Sequence, residues 1–214
     1  MTTTTTTMPT PNGREVCGVA VLARRAEVGV GKTRLAATLG AERAFGVYRG
    51  LIRRTAAAVA DSGLPATVCF APAIGDEDVW PAGRFGHAVQ PASADLGERI
   101  AAGLRSVLAE ADAAIAIGTD CPELTPALLR RAAGLLRDHD AVLGPSNDGG
   151  FYLLGVRDLD ARLFDAVAWS GEQVAARVRS NVRALGWTLA ELPTLADIDT
   201  EADLRAYQQR GGRL

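Results

Sequence analysis

The chain has 214 residues, 48% hydrophobic and 22% charged, with a formal net charge of −2. That length is enough to bury a sizeable core in one α/β domain. The near-neutral balance, with Lys and Arg scattered and never in a run of five, sets up no field for nucleic acid or a membrane surface. No apolar stretch reaches the roughly 18 residues of a membrane-spanning helix, so neither nucleic acid nor membrane is expected as a partner.

Residues 1–14 form a Thr-rich tract with Pro and Gly and no apolar core. This is expected to be a disordered tail rather than a secretory signal, with the domain running from 15 to 214. Cys17, Cys69 and Cys121 are too few and too far apart for a disulfide framework or a zinc pattern. Buried free thiols suit a reducing, cytoplasmic setting.

Taken in order, the first apolar run is Val16 to Ala23, a buried strand. Arg34 to about Ala60 reads as helix with a break near Gly40, and Ala66 to Ala71 as a second strand. Ile74 to Pro91 carries Gly, Pro and acids and reads mostly as loop. Ala94 to Ala111 is an amphipathic helix, with Leu96, Ile100, Leu104, Val107 and Leu108 on one face.

Ala113 to Gly118 is a third buried strand, and Thr125 caps a helix to Asp138 with Pro126 at its first position. Strands follow at Ala141 to Gly144 and Phe151 to Val156, a helix at Glu172 to Leu185, a strand at Trp187 to Leu192 and a helix from Thr200 to Gln209. Strands alternating with helices of this length imply an α/β fold with a mainly parallel sheet.

Four loops after strands carry the chemistry, where open α/β sheets bind ligands. In the first, Ala23 and Arg24 end a strand, Gly29 and Gly31 allow close backbone approach, and Lys32, Thr33 and Arg34 open a helix. Cations on such a loop suit nucleotide phosphates. A P-loop is excluded, because Ala26 stands where that motif needs glycine.

In the second loop, Asp120 follows an apolar strand and offers the hard oxygens that Mg²⁺ prefers. The third, Gly144 to Gly150, presents Asp148, Gly149 and Gly150 for metal or substrate, although an Asn147-Asp148-Gly149 turn is also common as plain structure. The fourth, Asp197-Ile198-Asp199-Thr200, can turn two carboxylates to one side or simply cap the last helix. Trp169 is a candidate wall of an acceptor pocket or a core residue. His87 and His139 carry no clear signal, and no nucleophile–base arrangement is arguable.

These segments carry a resemblance. Arg24 through Leu35, Leu96-Gly97-Glu98-Arg99, Gly118 to Thr125, Asp148 to Gly155, Trp169-Ser170 and Asp197 to Thr200 resemble the DUF2064 family, in order, across roughly residues 16–206. That family is classed with GT-A-type glycosyltransferases. It is also similar to 2-phospholactate guanylyltransferases and, more distantly, to molybdenum cofactor guanylyltransferases. The resemblance implies a single-domain nucleotide-diphospho-sugar transferase fold, with phosphates on the first loop and metal on Asp120. The family usually has proline where this chain has Ala26, beside the acidic Glu27.

The expectation is a Mg²⁺- or Mn²⁺-dependent nucleotidyltransferase. Lys32, Arg34 and Asp120 would be catalytic, and Asp120, Asp148 and Asp199 would hold the metal. An NTP and a small phosphate- or phosphonate-bearing acceptor would be the partners. A glycosyltransferase using an NDP-sugar is the alternative, and a non-catalytic nucleotide-binding regulator draws support only from Ala26 and Glu27. A homodimer is left open.

Overall fold

The computed structural model describes residues 16–29, 31–92, 95–169 and 171–214. The Thr-rich segment, Val30, the first residue of the expected helix at Ala94, and Ser170 of the Trp169-Ser170 pair lie outside the described residues.

The chain begins with strand β1 (Cys17–Arg24), followed by helices α1 (Thr33–Leu39) and α2 (Ala41–Ser62). The break between them is Gly40, whose φ of 80° an L side chain rarely adopts. Then come β2 (Ala66–Ala71), β3 (Gly86–Val89), α3 (Leu96–Leu108), β4 (Ala113–Ile117) and α4 (Pro126–Leu135). The Thr125 hydroxyl accepts the Leu128 N–H and Pro126 opens α4, as the sequence signals. The remainder is β5 (Ala141–Pro145), β6 (Phe151–Val156), a 3-10 turn (Ala161–Phe164), α5 (Val174–Ala184), β7 (Leu189–Glu191) and α6 (Glu201–Gln209).

The strands form one sheet in the order β3-β2-β1-β4-β6-β5-β7. Neighbours pair in parallel except β6, which runs antiparallel to both β4 and β5. Two details sharpen the expected mainly parallel sheet. Most of residues 74–91 is loop, as expected, with Gly86–Val89 adding an edge strand to β2. The turn through Asn147 and Asp148 closes a β-hairpin, which reverses β6 within an otherwise parallel sheet.

Side-chain alternation divides the core. Val19, Val21, Ile115 and Ile117 face Ile52 and Val59 of α2 and Leu129 of α4. Ala20, Ala114 and Ala116 face Ile100 and Leu104 of α3 and Val178 of α5. The small alanines of β1 and β4 let α3 sit close on the second face. A satellite cluster of Leu51, Ile198, Leu204 and Tyr207 docks the fourth loop and α6 onto α2. Burying such side chains stabilises by roughly 1.5–3 kcal/mol each, and it fixes the segment that carries Asp199. The three cysteines are free and buried. No helix among the described residues is long and apolar enough to cross a membrane.

Candidate functional site

The carboxyl ends of β1, β4 and β5 lie at one edge of the sheet, with β6 between β4 and β5, and the β5–β6 turn sits at that edge. The first loop starts at Arg24. The Tyr48 hydroxyl donates to the Arg24 carbonyl at 2.7 Å and accepts the Arg24 N–H at 3.1 Å. Burial raises the Tyr48 pKa, opposed by a hydrogen bond with Thr119 at the end of β4. One buried phenol therefore ties the first and second loops together.

Ala26, where the resemblance expects proline, donates its N–H to Asp76 Oδ2 at 2.8 Å. Proline has no such donor. Asp76 is almost fully buried, sits at a φ of 55°, and also takes Arg49 at 3.3 Å. Glu27 pairs with Arg25 at 3.0 Å on the surface. Gly29 and Gly31 adopt φ of 81° and 72°, a region that glycine enters without a Cβ clash. The Arg24 stem lies beside Gly31, and Arg34 is exposed in the first turn of α1.

Lys32 does not stay with the cations of its own loop. With a left-handed φ of 46°, it crosses the edge. Its ammonium lies 2.8 Å from Asp120 Oδ1, 2.7 Å from Asp199 Oδ1 and 2.5 Å from the Ile198 carbonyl. Burial disfavours its charge, but Asp120 and Asp199 outweigh that and hold Lys32 above its ordinary range.

Backbone pairing brings the acidic loops together. The Ile198 N–H donates to the Asp120 carbonyl at 3.0 Å, and the Asn147 N–H to the Leu195 carbonyl at 3.0 Å. Burial, then Asp148 and then Asp199 push the Asp197 carboxyl up to about 6. Asp148 Oδ1 also serves its own turn, accepting the Gly150 N–H at 2.9 Å and the Ser146 hydroxyl at 2.5 Å. Thr200 caps α6 in a capping box with Asp203 while Asp199 meets Lys32, so the fourth loop caps a helix and contacts the first loop.

Hard oxygens from Asp120, Asp148, Asp197 and Asp199 suit Mg²⁺ or Mn²⁺. Among the described residues no three carboxyl, imidazole or thiol groups form a ready-made cage. A cation here would take a few protein oxygens and complete its shell with phosphate and water, which is the habit of Mg²⁺. Asp197 joins Asp148 and Asp199 electrostatically. The alternation of Asp197 and Asp199 in the sequence was its only signal.

Gly149 is indispensable to the third loop. Its φ is 88°, and a Cβ there would sit 1.9 Å from the Glu172 carbonyl oxygen. The Ala175 N–H donates to the Gly149 carbonyl at 2.9 Å, joining the loop to α5. Beside this junction lies an open groove of about 510 Å³, lined by Ala168, Glu172, Gln173, Arg177 and Ser180 among others. It neighbours the third loop rather than Lys32. Trp169, next to this lining, stacks near Phe151 and Phe164 and lies so close to α3 that a Cβ on Gly97 would meet its ring at 2.6 Å. His87 accepts or donates at the Trp80 carbonyl, 2.8 Å away, and His139 contacts the Leu135 carbonyl at 3.1 Å, so both are engaged structurally.

Residues 54–171, more than half of the chain, match the family described as "Uncharacterized protein conserved in bacteria (DUF2064)". The chain belongs to this family. No curated protein matches the DUF2064 chain. Among solved structures it is similar to a protein of Desulfovibrio desulfuricans G20 named for the nucleotide-diphospho-sugar transferases, with 26% identity, a TM-score of 0.82, and 92% of this chain and 88% of that one covered. It shares its fold with a nucleotidyl transferase from Methanothermobacter thermautotroptrophicus, at 18% identity and a TM-score of 0.61, covering 92% and 98% of the two chains. Glucosyl-3-phosphoglycerate synthase from Mycobacterium tuberculosis, solved with Mn²⁺, UDP and glucosyl-3-phosphoglycerate, matches at 11% identity and a TM-score of 0.56, covering 92% and 76%. The DUF2064 fold is thus the Rossmann-like α/β fold of nucleotidyl- and sugar-nucleotide transferases.

Proposed function

We propose that this DUF2064 protein is a divalent-metal-dependent nucleotidyltransferase that moves an NMP group from an NTP to a small phosphate- or phosphonate-bearing acceptor. The observation that carries the reading is the junction at Lys32: a cation rooted in the glycine loop touches Asp120 and Asp199 at the carboxyl edge. A phosphate-binding cation and metal-binding oxygens thereby share one small volume.

Gly29, Gly31 and Thr33 would bring the backbone close to the phosphates, with Ala23 at the floor and Arg24 and Arg34 reaching from either side. Asp120, with Asp148 or Asp199, would hold Mg²⁺ or Mn²⁺, which supplies charge neutralisation at the phosphates when bound. An acceptor oxyanion attacks the α-phosphorus, the bond between it and the bridging oxygen to the β-phosphorus breaks, and pyrophosphate leaves with the bonding electrons. Lys32 and Arg34 stabilise the charge gathering on the departing pyrophosphate, so catalysis is positioning plus electrostatics. Gly149, Gly150 and the groove beside Trp169 give the acceptor its place, with Arg177 available to an anionic group.

The name of the Desulfovibrio protein favours a second reading, sugar transfer from an NDP-sugar. Titrations of NTPs and NDP-sugars side by side with Mg²⁺, paired with a pyrophosphate assay over phosphorylated acceptors, separate the two. The first reading expects at least tenfold tighter NTP binding, about 1.4 kcal/mol, and acceptor-dependent pyrophosphate. Tighter NDP-sugar binding with no pyrophosphate from any acceptor establishes the second.

A further inference from the structure

We infer that Lys32 and the divalent cation compete for the same carboxylate oxygens, so that the protein discriminates a metal–nucleotide complex from bare metal. This rests on the metal-dependent reading above.

Lys32 is the only lysine in the chain, whose other strong cations are all arginine. An ammonium is a compact point charge with three donors, whereas a guanidinium is a wide planar fork. All three donors of Lys32 have acceptors, namely Asp120 Oδ1, Asp199 Oδ1 and the Ile198 carbonyl. Its side chain is only 6% exposed, while those of Asp120 and Asp199 are 48% and 41% exposed. The ammonium is therefore enclosed by the acids, and the acids remain open to an incoming ligand.

This arrangement has a consequence for binding order. A phosphate gains a hydrogen bond from Lys32 only if one of the three acceptors is given up. A bare cation that takes Asp120 or Asp199 weakens the contacts of a buried charge and supplies no anion in exchange. A nucleotide arriving with its cation does both at once, because its phosphates receive the ammonium as the carboxylates turn to the metal. Lys32 thus penalises metal alone and admits the pair.

Two measurements test this, neither of which uses turnover. In calorimetric titration of Mn²⁺ into nucleotide-free protein, Lys32→Met is expected to bind the metal at least tenfold more tightly than wild type. Equal or weaker binding by a folded Lys32→Met overturns the inference. The second needs no variant. Because Lys32 is the sole lysine, its acylation by acetic anhydride is read from one peptide by mass spectrometry. Acylation is expected to be slow without metal and to rise with Mn²⁺, half-maximally at the calorimetric dissociation constant. Fast acylation without metal, or an unchanged rate at saturating Mn²⁺, also overturns it. If pyrophosphate release fails while both results hold, the transferase reading falls and the competition stands.

Discussion

The two sides of the candidate site are held in different ways. On the cationic side, between β1 and α1, the loop is pinned at Arg24 by Tyr48 and at Ala26 by Asp76, and then passes through Gly29 and Gly31. Arg24 and Arg34 are exposed and form no ion pair among the described residues. On the acidic side, backbone bonds join the loops: Ile198 to Asp120, Leu195 to Pro145, Asn147 to Leu195 and Ala175 to Gly149. The acids are set in advance, where fixed oxygens suit a metal of demanding geometry. The arginines are left free, where long side chains can follow a flexible phosphate chain. The Lys32 side chain crosses from one side to the other.

The contrast can be broken most severely at Asp120. Asp120→Asn keeps the size and one acceptor oxygen but removes the charge. Turnover in a pyrophosphate-release assay is expected to fall about 10²–10³-fold, as on removing one electrostatic stabiliser. Near-normal turnover at limiting metal would leave Asp120 as a partner of Lys32 only.

Gly149→Ala attacks the wiring instead of the charge. The new methyl would meet the Glu172 carbonyl at 1.9 Å in a backbone region that disfavours it. Strain of about 1–3 kcal/mol and overpacking of about 1–3 kcal/mol together predict a loss of roughly 3 kcal/mol. Urea unfolding measures it, and a loss below about 1 kcal/mol would show that the loop gives way easily.

Lys32→Ala bears on both sides. Losing a charged donor to phosphate is expected to weaken NTP binding by about 1.5–3 kcal/mol, with the fold retained. Unchanged affinity in calorimetry would remove Lys32 from the phosphate site.

The same contrast governs what the sequence could reveal. The first three loops each follow an apolar run, which singled out Lys32, Asp120 and Asp148 as candidates, whereas Asp199 stood out only by its alternation with Asp197. What each side chain touches was not legible, because those contacts span the chain: Lys32 and Asp199 are 167 positions apart. Asp76 lies in a stretch rich in Gly, Pro and acids, and Tyr48 is one aromatic residue on an amphipathic helix. Nothing local distinguishes either as a tether. Strand β3 escaped notice because only His87–Val89 follow Gly86 before Gln90, too short a run for alternation to register. The reversal of β6 was implicit in the Asn147-Asp148-Gly149 turn.

The tether at Asp76 gives a smaller effect. Asp76→Ala leaves the Ala26 N–H without its acceptor and Arg49 with Asp78 alone. A loss of about 1–3 kcal/mol in unfolding experiments is expected, together with weaker NTP binding as the first loop loosens. Loss of stability without any change in NTP affinity would separate Asp76 from the site.

The smallest effect concerns charge crowding on the acidic side. Asp197 has its carboxyl pushed from 3.8 up to about 6, so the folded protein holds a proton that the unfolded chain has released. Its contribution to stability is therefore complete below about pH 4 and declines as pH rises through 6, where a half-buried carboxyl must ionise, and do so beside Asp148. Asp197→Asn removes that charge. With metal chelated, the variant is expected to melt at the same temperature as wild type at pH 4 and above it at pH 8. Solvent screening of this half-buried group limits the gain to about 1 kcal/mol, or roughly 2–4 °C. Saturating Mn²⁺ supplies the missing positive charge, so it should erase the difference or reverse it if Asp197 is a ligand. Equal melting at pH 8 in chelator would mean that Asp148 and Asp199 stand too far from Asp197, or too well solvated, to crowd it. The acidic side would then be as loosely coupled as the cationic one.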